Sequence, residues 1–148
     1  MEINTNQFEL DELEGRRKAA KLFGTGYTYT FTEDKYAYYD CKVNGMAKDS
    51  IIEIKNRDCK STTYQTDIIE YIKLRHLTIE AKNDNIFYLN FFSDGVARLY
   101  DLREIDITQV YVAQIPMNRT TATQSDIVNK LVIELPQDKA IRTYKNIF

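Results

Sequence analysis

A chain of 148 residues, 43% of them hydrophobic and 28% charged, is long enough for one domain with its own core. The net charge of −2 excludes a nucleic-acid binder that works by bulk positive charge. Two cysteines, Cys41 and Cys59, are too few for a disulfide framework and lack the spacing of zinc ligands. No apolar run approaches the ~20 residues that span a bilayer, and the N-terminal stretch lacks the apolar core of a signal peptide. The expectation is a cytoplasmic protein; its small size and Asn-, Lys- and Ile-rich usage suit a bacterial cell or a phage-infected host.

Residues 7–23 are strongly helix-forming, with Leu10, Leu13, Ala20 and Phe23 near one face, and Gly24 and Gly26 end the pattern. Two Tyr-, Thr- and Phe-rich segments, 27–32 and 36–43, flank Glu33-Asp34-Lys35 and read as a hairpin. Asn44-Gly45 is a second turn signal, and Ser50 to Asn56 is a third strand. Residues 63–82 change period: Ile68, Ile69, Ile72 and Leu77 recur at helical spacing and predict one long helix. Residues 86–92 are an apolar strand, Ser93-Asp94-Gly95 a turn, and 96–102 the strand that pairs back. Further strands are predicted near 109–115 and 130–135, with a polar loop around 118–124. The order helix, three strands, helix, strand, then more strands argues for an α+β or mixed α/β fold over a regular parallel sheet.

The strand at 50–56 carries an unusual pattern. Side chains alternate along a strand, so Ile51, Glu53 and Lys55 face one side and Ile52 and Ile54 the other. A central strand covered on both faces reads as a continuous apolar run, and here an acid and an ammonium interrupt one face. On the preceding segment Asp40 follows Tyr36 and Tyr38 on one face. Pairing of these strands sets Asp40 beside Glu53, so two carboxylates and a lysine converge. Close carboxylates repel unless a cation lies between them, and hard oxygen ligands suit Mg²⁺ or Mn²⁺. Such an ion acidifies water and stabilises charge on a phosphoryl oxygen, while a neighbouring lysine orients or deprotonates the water or neutralises developing charge. The competing reading of Glu-x-Lys is the solvated face of an amphipathic sheet.

Tyr39-Asp40, then twelve residues, then Glu53-Ile54-Lys55 resembles the bipartite signature of the PD-(D/E)XK nuclease superfamily, whose restriction-endonuclease-like core also runs helix, three strands, helix, strand. The likeness covers roughly residues 7–92, and Tyr39 stands where the signature has proline. The resemblance implies that Asp40 and Glu53 ligate a divalent metal, with the Ile54 backbone carbonyl as a further ligand and Lys55 as the catalytic lysine. It implies an added glutamate from the first helix, for which Glu14 is the choice and Glu9 and Glu12 are alternatives. Polar groups on the helix after the lysine are expected to contact substrate, with Tyr64, Gln65 and Lys73 as candidates. Arg57 and Lys60, in the segment containing Cys59, are placed to touch a phosphate backbone. His76, the only histidine, lacks a partner histidine and reads as a helix-end residue; Cys41, opposite in face to Asp40, reads as a small core residue.

The sequence therefore predicts a Mg²⁺- or Mn²⁺-dependent nuclease that hydrolyses phosphodiester bonds, in DNA before RNA. The expected organisation is one domain over residues 1–148, with a core at about 7–92 and further C-terminal strands on a mixed sheet. The alternatives are a nuclease-like module that binds nucleic acid or protein without cutting, and a structural protein with no active site. A small chain has little surface for reading sequence, so low specificity, recognition of a DNA structure, or a homodimer paired through strands after Ile86 is expected.

Overall fold

The computed structural model describes residues 7–34, 37–44, 48–118 and 127–147. Helix α1 (Gln7–Phe23) forms where the composition predicts it. Gly24 ends it at φ +57°, a conformation that a Cβ resists, and its N–H returns to the Ala20 carbonyl at 3.0 Å. The strands that follow are β1 (Thr28–Phe31), β2 (Cys41–Asn44), β3 (Ser50–Asn56) and β4 (Thr66–Glu70). Helix α2 (Tyr71–Ala81) leads to β5 (Asn85–Phe91), β6 (Ala97–Asp101), β7 (Val112–Asn118), β8 (Ile127–Pro136) and β9 (Arg142–Tyr144).

Among the described residues the main sheet has the order β1-β2-β3-β5-β6-β9, and a second sheet has the order β4-β8-β7. β3 and β5 run parallel, Ile51 beside Ile86 and Glu53 beside Tyr88, while the other paired strands are antiparallel. The fold is the mixed α+β class read from the sequence. No helix among the described residues is long and apolar enough to cross a membrane.

β3 divides the core as its alternation predicts. Ile52 and Ile54 pack with Ala19 of α1 and with Cys41, Val43, Leu89 and Phe91. Ile51 faces the other way, into Ile69, Leu77, Tyr88, Tyr100, Ile133 and Leu135. α1 lies so close to β3 that a Cβ on Gly15 would stand 3.2 Å from Cγ2 of Ile54.

Three details differ from the sequence reading. The helix expected over 63–82 begins only at Tyr71, because Thr66 to Glu70 forms β4. Those residues alternate in burial, with Asp67 and Ile69 inward, and they pair with β8 far along the chain. A local 3.6-residue pattern cannot report that partner. Ile72, expected in the helix core, is accordingly exposed, while Leu77 is buried. The strand expected over 36–43 starts only at Cys41. Of the C-terminal strands, β6 and β9 extend the main sheet, but β7 and β8 join β4 in the second one. Tyr36, Gly45 and residues 119–124 of the expected polar loop lie outside the described residues.

The second sheet is bolted to the first by a buried ion pair. Asp67 of β4 accepts from Arg98 of β6 through both oxygens, at 2.7 and 2.8 Å, and also from the Tyr100 hydroxyl. The Arg98 guanidinium lies 4.4 Å from the Phe92 ring centre and donates to the Ser61 carbonyl at 3.0 Å. Removing one partner leaves a buried charge uncompensated, so Asp67→Ala is expected to lose about 3–5 kcal/mol in urea unfolding. Asp67→Leu combined with Arg98→Met is expected to recover most of that loss. A loss below ~1 kcal/mol for the single variant would show that the pair is screened like a surface one.

Candidate active site

The site begins where β2 stops. β2 pairs with β3 from Cys41 opposite Ile52, so the next stretch of β3 has no strand on that side. The Asp40 N–H reaches the Ile52 carbonyl at 2.9 Å, and the Asp40 carboxylate then takes the role of the missing strand. Its Oδ2 accepts from the Ile54 N–H at 2.8 Å. A strand residue presents its N–H and C=O to the same side, so the Ile54 carbonyl opens toward the edge that Asp40 occupies. The other Asp40 oxygen accepts from Arg16 Nη2 at 3.3 Å. Arg16 is itself held by the Thr32 carbonyl at 2.6 Å and by Glu12 at 3.1 Å. Asp40 is thus fixed by the backbone of β3 on one oxygen and by α1 on the other.

Glu53 stands on the opposite face of β3 from α1, with its side chain only 5% exposed. Two ammonium groups attend it, Lys55 Nζ and Lys73 Nζ, each 3.5 Å from Oε1. Lys73 comes from α2 and also donates to the Tyr38 carbonyl at 3.4 Å. One face further along, Arg57 donates to Asn90 Oδ1 at 3.2 Å, to the Ile68 carbonyl at 3.0 Å and to the Tyr88 hydroxyl at 2.8 Å. Tyr88 in turn donates to the Ile68 carbonyl at 2.7 Å.

Of the residues read from the sequence, the structure gathers Asp40, Glu53, Ile54, Lys55 and Lys73, with Arg57 just past the end of β3. Glu14 is turned elsewhere: both its oxygens accept from Arg17, at 2.6 and 3.0 Å, which holds its carboxyl below the usual range. The helix acid that connects to Asp40 is Glu12, by way of Arg16. Lys60, Tyr64 and Gln65 sit exposed on the loop after β3, and the Tyr64 carbonyl accepts from Gln137 at 2.8 Å. Cys41 is buried, and burial pushes its thiol up to about 11, as befits a core residue. Sequence reasoning missed Arg16, Tyr88 and Asn90. The Glu12–Arg16 spacing of four was legible as a helix pair, but nothing local pointed Arg16 at Asp40.

No protein-family model matches the sequence, and no curated protein matches it. Among solved structures, the fold is similar to that of Hjc, a Holliday junction resolvase from the archaeal hyperthermophile Archaeoglobus fulgidus, whose structure was determined at 1.6 Å. The match has a TM-score of 0.50 at 12% identity and covers 82% of this chain and 84% of that one. The fold expected from the signature, that of the PD-(D/E)XK restriction-endonuclease-like proteins, is the fold observed.

The electrostatics of the site follow from its burial. Desolvation pushes the Glu53 carboxyl up to about 7; the nearby Asp40 charge adds to the rise, while Lys55 and Lys73 oppose it. Burial is the largest single influence on the Lys55 ammonium and works to lower it, but the acidic groups around it, Glu53 first and then Tyr88 and Asp40, together outweigh burial and hold the lysine charged above its ordinary range. Among the described residues no three His, Cys, Asp or Glu side chains gather into a metal-holding set. Asp40, Glu53 and the Ile54 carbonyl are nevertheless hard oxygen donors at one edge, and a carboxyl raised chiefly by burial is a group whose ionised form a dication would stabilise. A small hard ion that keeps most of its waters needs only one or two protein carboxylates, so the donor set fits Mg²⁺ or Mn²⁺.

A carboxyl raised from 4.5 to about 7 favours the folded state only while protonated. The metal-free protein therefore loses stability as pH climbs from about 4.5 to about 7, by roughly 3 kcal/mol for this group, and is penalised in full above that window. Glu53→Gln is expected to remove this slope. Calorimetric melts of both proteins across pH 4–8 check it, and a stability difference that does not change with pH would refute the assignment.

Proposed function

We propose that this chain is a divalent-metal-dependent nuclease that hydrolyses phosphodiester bonds, with DNA as substrate. The observation that carries the reading is the meeting of Asp40, Glu53 and Lys55 at the point where β2 ends. An amphipathic sheet with no active site would leave Glu53 and Lys55 in solvent; here Glu53 is almost fully covered. DNA is favoured over RNA by the likeness to a Holliday junction resolvase.

In this reading Asp40, Glu53 and the Ile54 carbonyl hold Mg²⁺ or Mn²⁺, which when bound supplies Lewis-acid stabilisation of the phosphoryl oxygens and acidifies water. Asp40 is held ready for that duty by the Ile54 N–H, so no rotamer has to be ordered when the ion arrives. Lys55, kept positively charged by Glu53, serves as a cation toward the phosphate and neutralises charge that develops on it in the transition state. Lys73 adds a second positive charge on the same carboxylate from α2. Arg57, anchored through Nε and Nη2, is a fixed cation placed to receive a flanking phosphate.

We also propose that the chain works as a homodimer, which would double the DNA footprint. β7 is an edge strand of the second sheet, and Tyr111 and Val112 at its start are 80% and 53% exposed.

Incubation with labelled single-stranded, duplex and branched DNA and with RNA in Mg²⁺ or Mn²⁺ tests the activity. Cutting is expected to require the metal and to fall about 10²–10⁴-fold in Lys55→Ala, whose melting temperature should stay near that of the parent protein. Cutting that survives the substitution would place the chemistry elsewhere. DNA binding without cutting would instead identify a binding module. Light scattering at micromolar concentration is expected to return twice the chain mass, and a monomeric mass would remove the dimer.

A further inference from the structure

Tyr38 lies two residues before Asp40, and its neighbours differ sharply from it in environment. Tyr39 packs against the core, and Asp40 is held by Ile54 and Arg16. Tyr38, just before them in the chain, is turned outward and is 41% exposed. Its ring rests on that of His76, with centroids 4.2 Å apart and planes inclined by 44°. Its carbonyl accepts from Lys73 Nζ, the ammonium that also stands 3.5 Å from Glu53. Lys73 and His76 are three residues apart on α2 and share one helix face. Other exposed tyrosines, such as Tyr27, Tyr64 and Tyr111, show neither a second ring nor a link to the site in their described contacts.

We propose that Tyr38, backed by His76, is a stacking platform for an unpaired nucleobase next to the phosphate that is cut. The proposal rests on the nuclease reading and deepens it by naming the substrate class. A phosphate drawn to Lys55 and Lys73 brings its own nucleotide up to the segment that carries Tyr38, because one ammonium touches both places. The Tyr38 ring is supported from behind and its main chain is tied on either side, so stacking costs little side-chain freedom. Any base offers a π-face, so the contact is tolerant of sequence. A base inside a duplex already stacks on both neighbours and cannot reach a ring at the rim of the site. The platform therefore selects nucleic acid whose base beside the cut is single-stranded, flapped or frayed.

Fluorescence anisotropy with a fluorescein-labelled single-stranded DNA 12-mer, and with the same strand fully paired, in metal-free buffer, tests this apart from catalysis. Tyr38→Leu is expected to weaken single-strand binding about tenfold and His76→Ala by less, while Tyr38→Phe binds like the parent. Duplex binding should be unchanged by all three. Moving one abasic site along the 12-mer should find a position whose loss costs the parent protein about as much as Tyr38→Leu does. At that position the two losses should not add, a result that a purely structural role for Tyr38 would not produce. Strong binding that ignores both Tyr38→Leu and every abasic position would overturn the platform and leave the nuclease reading standing. Absence of binding to any oligonucleotide would overturn both. Should Tyr38→Leu not fold, the same cycle is run with His76→Ala, whose smaller loss should likewise vanish at that abasic position.

Discussion

One hydrogen bond organises the candidate site: the carboxylate of Asp40 standing in for a strand that has ended. A β-strand without a neighbour exposes its amides, and leaving the Ile54 N–H unpaired in a buried setting would cost free energy on the order of 1–3 kcal/mol. Asp40 satisfies that donor, and the same bond fixes the direction of its second oxygen, which meets Arg16. Structural need and chemical need coincide at this residue. An apolar side chain at position 40 would leave the β3 edge open and remove a proposed metal donor at the same time.

The opposite face of β3 shows the tension between stability and chemistry. Its pattern of Ile51, Glu53 and Lys55, continued just past the strand by Arg57, places charged groups where a stable sheet would carry apolar ones. The protein offsets this by pairing Lys55 with Glu53 on the strand itself and by bringing partners from other elements to the rest: Lys73 of α2 for Glu53, and the Tyr88 hydroxyl, Asn90 and the Ile68 carbonyl for Arg57. The match is incomplete: among the described residues, Asn90 Nδ2 beside this face and Arg16 Nε on α1 are buried without a hydrogen-bond partner. Unsatisfied donors beside a cluster of buried charged groups are the cost expected if the arrangement serves the proposed binding and catalysis before stability.

The local parts of this arrangement were legible in the sequence. α1, the two faces of β3, and the β5–β6 pairing follow from composition, period and turn residues, and the Asp40, Glu53 and Lys55 spacing pointed to their meeting. What escaped was decided by partners distant in the chain. Thr66 to Glu70 looked helical because Ile68, Ile69 and Ile72 fit a helix face as well as anything; only pairing with β8 makes the segment a strand. Glu14 and Glu12 are equivalent in propensity, and which of them connects to Asp40 depends on where Arg16 points, a tertiary fact. Tyr88 and Asn90 read as ordinary strand residues, and their polar ends matter only because parallel pairing sets them beside Glu53 and Lys55.

The second sheet has a consequence for the order in which the molecule is made. Its central pairing joins segments about as far apart as Glu70 and Lys130, 60 residues in sequence. Closing so long a loop is entropically expensive and comes late, when the C-terminal strands have become available. During vectorial synthesis the signature residues emerge early, but the sheet that covers the inner face of β3 cannot close until β8 has left the ribosome. A nascent chain therefore carries the signature residues long before it carries the cover that buries Glu53. Under the proposed function, the chain would in this way remain inert while still attached to the machinery that reads a nucleic acid.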